Sequence, residues 1–102
     1  EISTDKIKRY DLIYASGIFN VKMPNHKLWM SKILKKLYNQ ANRYLIFNNL
    51  SLNAKFYDQD LFYCNKKIII NLLSDLKTNF FFEEKYFSHD FTTIISKNKW
   101  IK

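Results

Sequence analysis

A chain of 102 residues has room for one small domain and not for two. Its 47 % hydrophobic and 18 % aromatic content excludes a disordered chain, and its lone cysteine excludes an intrachain disulfide. The formal charge of +8 is uneven, with ten Lys and Arg against three Asp and Glu over residues 1–57 and seven against six afterwards.

Residues 1–9 are polar and read as a lead-in. Asp11–Ala15 is a short, nearly continuous apolar run, the pattern of a strand covered on both faces in a parallel sheet. Ser16-Gly17, which holds the only glycine, ends it, and residues 18–27 form a loop around the only proline, Pro24. Asn25 or His26 then caps an amphipathic helix of about four turns. Leu28, Trp29, Ile33, Leu34, Leu37, Tyr38 and Ala41 share its apolar face, with Lys32, Lys35, Lys36 and Asn39 opposite. Arg43–Asn48 reads as a second strand and residues 49–62 as loop. Lys66–Leu76 reads as a second helix, with Ile69, Leu72, Leu73 and Leu76 on one face. FFFEEKYF and DFTTIISK, separated by Ser88-His89, read as an antiparallel strand pair. The fold class is therefore α/β, in the order β-α-β-α-β-β, with a terminal hairpin closing one edge of an otherwise parallel sheet.

In such sheets ligands sit beyond the C-terminal ends of the parallel strands. Here those ends are Ala15-Ser16-Gly17 and Asn48-Asn49-Leu50-Ser51. Gly17 either lets a ligand approach the backbone or only permits a turn with positive φ. Asn20, Asn48 and Asn49 are open to both readings in a chain with eleven asparagines. Cys64, with His26 and His89 lying 38 and 25 residues away, makes neither a nucleophile–base pair nor a zinc site, and no metal is expected. Asp58 and Asp60, two apart, read as capping or solvated groups. No GxGxxG or GxxxxGK is present.

One stretch carries more than composition does. DLIYASGIFNV, beginning at Asp11, resembles the fourth strand and following loop of a family of class I S-adenosylmethionine-dependent methyltransferases, where Asp-aliphatic-aliphatic-x-Ala-Ser-Gly-Ile-Phe-Asn is characteristic. Leu28-Trp29 before a long helix, RYLIFNNLS, DLFYCNKKIIINLLSDL and FFFEEKYFSHDFTTIIS follow in the order of that family's later elements. The resemblance implies a partial Rossmann-like methyltransferase sheet, its fourth, fifth, seventh and sixth strands side by side in that order, with the last strand antiparallel. It implies one partial domain over residues 1–102, the C-terminal half of the fold from the fourth strand onward, with the main cofactor-binding loop outside this chain.

The implied function is methyl transfer from S-adenosylmethionine to a small-molecule or sugar-type acceptor, in a chain completed by an N-terminal half. By resemblance Ser16 and Gly17 lie near the methionine end of the cofactor. Phe19 and Asn20 line the cleft where donor meets acceptor, and Asn48 and Asn49 border the acceptor side. No catalytic base is identified. The free edge of the fourth strand implies pairing with a companion chain or a second copy. Two rival readings are a small basic nucleic-acid-binding module and an inactive oligomerising fragment. Nucleic acid is not the expected partner, since fifteen of the seventeen cations are lysine in an Ile- and Asn-rich chain, the bias of an AT-rich genome. No run approaches the length of a membrane span, and the cysteine usage points to the cytoplasm.

Overall fold

β2 (Ala41–Ser51), eleven residues long, is the axis of the molecule. In this computed structural model, which describes residues 8–52, 56–84 and 89–97, every other strand is placed relative to it. β1 (Tyr10–Ala15) runs parallel along one edge of β2, pairing Ile13 with Leu45 and Ala15 with Phe47. β5 (Asp90–Ser96) runs antiparallel along the other edge, and β4 (Asn79–Glu83) lies antiparallel beyond β5. The order β1-β2-β5-β4 is the one the resemblance implies. A two-residue strand, β3 (Tyr63–Cys64), extends the ladder on the β1 side, pairing with Leu50 and Ser51 beyond the end of β1.

α1 (His26–Gln40) forms because Met30 and Leu34 recur at helical spacing and are fully buried, with Ile33, Leu37 and Tyr38 packed around them. Leu28 departs from the expected stripe and is exposed. The helix runs into β2 without a loop, since Ala41 turns to extended geometry while its N–H still donates to the Leu37 and Tyr38 carbonyls. Lys97 secures the same junction, its ammonium donating to the carbonyls of Tyr38 (2.9 Å) and Ala41 (2.8 Å) where the helix dipole is negative. Burial, and secondarily Arg9, lowers the Lys97 pKa.

α2 (Lys66–Leu73) is shorter than the sequence suggests, because its last turn, Ser74–Leu76, tightens to 3-10 geometry before Lys77 reverses the chain at φ 49°. The first strand of the hairpin ends at Glu83; residues 85–87 of the expected FFFEEKYF strand lie outside the described residues.

Strand pairing divides the sheet into two unlike faces. Leu45, Phe47, Phe91 and Ile95 stand on one, with Ile13, Phe80 and Phe82 beside them, and both helices lay their apolar stripes there. On the other, Tyr10, Leu12, Tyr14 and Phe81 are exposed. β1 is therefore covered on one face only, contrary to the reading of Asp11–Ala15 as a strand covered on both. It is an edge strand whose residues alternate, and only Ile13 and Ala15 turn to the core.

Candidate functional site

Both parallel units bring strand C-termini and helix N-termini to the same end of the sheet, and there β1 leaves β2. Gly17 has φ +78°, a left-handed value that glycine adopts without a Cβ penalty. The turn closes through the Asn20 N–H, which donates to the Gly17 carbonyl (3.3 Å). The Gly17 N–H, freed from the ladder, donates to the Asn48 side-chain Oδ1 at 2.8 Å. A Cβ on Gly17 would meet only the Asn20 amide nitrogen, at 3.7 Å, so backbone conformation rather than crowding calls for glycine.

On the same edge of β2, Asn48 and Asn49 fall between the last β1 partner, Phe47, and the first β3 partner, Leu50. The loop after β1 crosses this notch and is zipped to the lead-in of β3. Phe62 N–H donates to the Asn20 carbonyl (2.8 Å), Lys22 N–H donates to the Asp60 carbonyl (2.9 Å), and Val21 bridges Leu61.

Alternation along β2 sends the two asparagines to opposite faces. Asn48 faces the Gly17 turn. Asn49 is buried beneath α1, its amide donating weakly to Met30 Sδ (3.7 Å) and its Oδ1 without a partner among the described residues. Phe19 is also fully buried, edge-on to Trp29 and Phe47. The structure thus gathers Ser16, Gly17, Asn20 and Asn48, with Ser16 exposed and Asn20 half-buried, and turns Phe19 and Asn49 into the core. Asn20 Oδ1 is a buried acceptor with no partner among the described residues, the type of atom a bound donor group satisfies.

His26, read from the sequence only as a helix cap or a distant neighbour of Cys64, and Phe62 were not among the expected site residues. Their rings stack at 3.8 Å and 13°, and with Asn25, Lys27 and Leu28 they line an open groove of about 460 Å³. His26 Nδ1 accepts from the Met23 N–H (3.1 Å), which leaves the proton on Nε2. Burial lowers its pKa, Lys22 adds to the lowering, and the Phe19 carbonyl opposes both. A histidine opening a helix three residues after a methionine carries no sequence signature of this role. A second hollow of about 340 Å³ opens between the end of β2 and the start of α2, where Lys66 pairs with Glu84 at 2.5 Å. Burial pushes the Cys64 thiol up to about 12, against the smaller lowering by Lys27 and Asn65, so it is no nucleophile at neutral pH. Asp58 accepts from the Asp60 N–H (2.8 Å), closing its own turn. No cluster of metal-binding side chains occurs among the described residues, and no helix there is long and apolar enough to cross a membrane.

No protein-family model matches this sequence, and no curated protein matches it. Among the solved structures that match in shape are two of magnesium protoporphyrin IX methyltransferase (ChlM) from Synechocystis PCC 6803. The one with bound SAM superposes with a TM-score of 0.62 at 15 % identity, covering 89 % of this chain and 40 % of that one. The one with bound SAH gives 0.65 at 13 % identity, covering 89 % and 46 %. The fold is a partial Rossmann-like methyltransferase fold.

This likeness corrects two expectations. The sequence resemblance makes the chain only a C-terminal half, starting at the fourth strand. The match instead runs through 89 % of the chain as one unit with its own core, while spanning less than half the length of the two solved chains. The resemblance also sets the main cofactor-binding loop outside the chain. The matched structures hold SAM and SAH within a fold that takes in 89 % of this chain, so no binding loop is counted as missing.

Proposed function

We propose that this chain binds S-adenosylmethionine at the end of β1 and serves methyl transfer to a small-molecule acceptor. The observation that carries this reading is the Gly17–Asn48 contact at the strand C-termini of a methyltransferase fold, beside the unpartnered Asn20 Oδ1. Gly17 keeps the turn open to a ligand, and Asn48 holds that turn in place. Asn20 Oδ1 suits a donor such as the ammonium or amine of the cofactor. When bound, S-adenosylmethionine supplies an electrophilic methyl group, and the protein's task is to align donor and acceptor and exclude water. The groove beside His26 and Phe62 is the acceptor side in this reading. Its stacked rings favour a planar or apolar acceptor body, and Lys27 at its rim favours an anionic one. With its Nδ1 engaged and its pKa lowered, His26 holds the loop rather than taking a proton.

Calorimetric titration of the chain with S-adenosylhomocysteine tests this. Saturable one-to-one binding is expected, weakened about tenfold or more by Asn20→Ala, the loss of one buried hydrogen bond to a ligand. A well-folded chain that takes up no S-adenosylhomocysteine overturns the proposal.

A further inference from the structure

We infer that the face of the sheet away from the helices is a homodimer interface, on which two copies pack face to face about a two-fold axis. Register places its residues together without ambiguity. Leu12 pairs with Tyr44, Tyr14 with Ile46, Ile46 with Ile94, and Ile94 with Phe81, so one apolar band crosses all four strands. Both helices lie over the opposite face, where Ile69, Leu73, Met30 and Leu34 join the core. At the rim of the band Leu12 is 55 % exposed, Tyr14 60 % and Phe81 45 %, while Ile46 and Ile94 meet half-buried at its centre. Exposed Asn79, Glu83 and Asp90 border this apolar band on the same face, the layout of an interface with an apolar centre and a polar rim.

Area and charge name the occupant. An aromatic side chain buries ~150–250 Å². Tyr10, Leu12, Tyr14 and Phe81, each roughly half-exposed, therefore offer on the order of 100 Å² each, and the half-buried Tyr44, Ile46, Leu50 and Ile94 roughly 50 Å² each, which brings the face to roughly 600 Å² per copy against the ~800 Å² of a standard interface. The chain as a whole is strongly cationic at +8, so two copies should repel. Yet the band holds no Lys or Arg: the positions of β1, β2, β5 and β4 on this face are Tyr, Leu, Ile, Asn, Thr, Phe and Ser, with Glu83 and Asp90 as the only charges. Lys32, Lys35 and Lys36 stand exposed on α1, across the sheet. An acidic partner would seek that side, whereas a second copy meets no cation here. Two sheets stacked ~10 Å apart at about −30° bring the band of one copy onto the band of the other. This inference is independent of any ligand at the β1 end.

Sedimentation equilibrium of the full chain over about 1–100 μM is the test, a range that brackets micromolar association. A mass twice the 12.4 kDa of one chain is expected. Leu12→Asp, at an already exposed position that tolerates a polar group in the monomer, should weaken association about tenfold or more with unchanged far-ultraviolet circular dichroism. Leu28→Asp, equally exposed but on α1, should leave it unchanged. Three results overturn the inference: a monomer at every concentration, a dimer that Leu28→Asp breaks and Leu12→Asp does not, or a monomer that binds phosphatidylcholine–phosphatidylglycerol vesicles through the Leu12 face.

Discussion

At the scale of single residues, the loop after β1 is organised by polar atoms of unequal standing. Gly17 N–H has lost its ladder partner and found Asn48; Asn20 Oδ1 is buried and has none among the described residues. His26 lies between these cases, one nitrogen engaged by Met23 and the ring held against Phe62. Its burial penalises the charged imidazolium, so the folded chain binds a proton there less readily than the unfolded chain, whose histidine titrates near 6.5. The stabilising contribution is therefore present above pH 6.5 and is lost as pH falls through 6.5 toward the lowered folded value. Urea midpoints measured at pH 7.5 and 5.5 should show this loss, at up to about 1.4 kcal/mol per pH unit. His26→Asn, which keeps an acceptor for Met23 but cannot titrate, should flatten that part of the profile. An unchanged slope in the variant would place the acid sensitivity elsewhere.

At the scale of elements, the two helices begin differently, and the difference is measurable. Asn65 has extended geometry and its Oδ1 accepts from the Ile68 N–H (2.9 Å), a side-chain cap on α2. Asn25 sits at φ 50° and its side chain caps nothing. Asn65→Ala should cost about 1 kcal/mol in urea denaturation, whereas Asn25→Gly should be neutral or slightly stabilising, because glycine adopts the left-handed region without strain. Equal losses in the two variants would contradict the assignment. The sequence could not rank these caps, since an asparagine before an apolar repeat looks the same in either conformation. It did carry α1, α2 and the β4–β5 hairpin, because their apolar spacing or turn residues are local. It did not carry β3, two residues long and defined only by its partners Leu50 and Ser51. Nor did it carry the full length of β2, whose first residue doubles as the C-cap of α1.

At the scale of the whole molecule, the strand order was legible through the family resemblance of DLIYASGIFNV and the segments after it, while the unlike faces of the sheet were not. A short apolar run reads the same whether helices cover one side or both, and β1 shows its alternation only once Ile13 and Ala15 are seen against Leu45 and Phe47. The end of the sheet at which Ser16, Gly17, Asn20 and Asn48 meet was legible for the same topological reason. Its side-chain directions were not, because Asn48 and Asn49 are chemically alike and differ only in which side of β2 they leave. The buried face also supplies a probe of how the molecule opens. Cys64 is fully buried on β3, and its thiol, pushed up to about 12, holds almost no thiolate at pH 8. Alkylation must wait for an opening that returns it to water. Two routes exist: global unfolding, or release of β3 alone, held to β2 by a two-residue ladder and the Leu52 N–H donating to the Cys64 carbonyl (3.1 Å). So short an element opens at less cost than the four-stranded sheet. Iodoacetamide labelling at pH 8 should therefore be almost independent of urea at low concentrations and turn upward only near the global transition, since a small opening exposes little surface. A labelling rate that rises from the lowest urea with the full equilibrium slope would show instead that β3 and the sheet open as one unit.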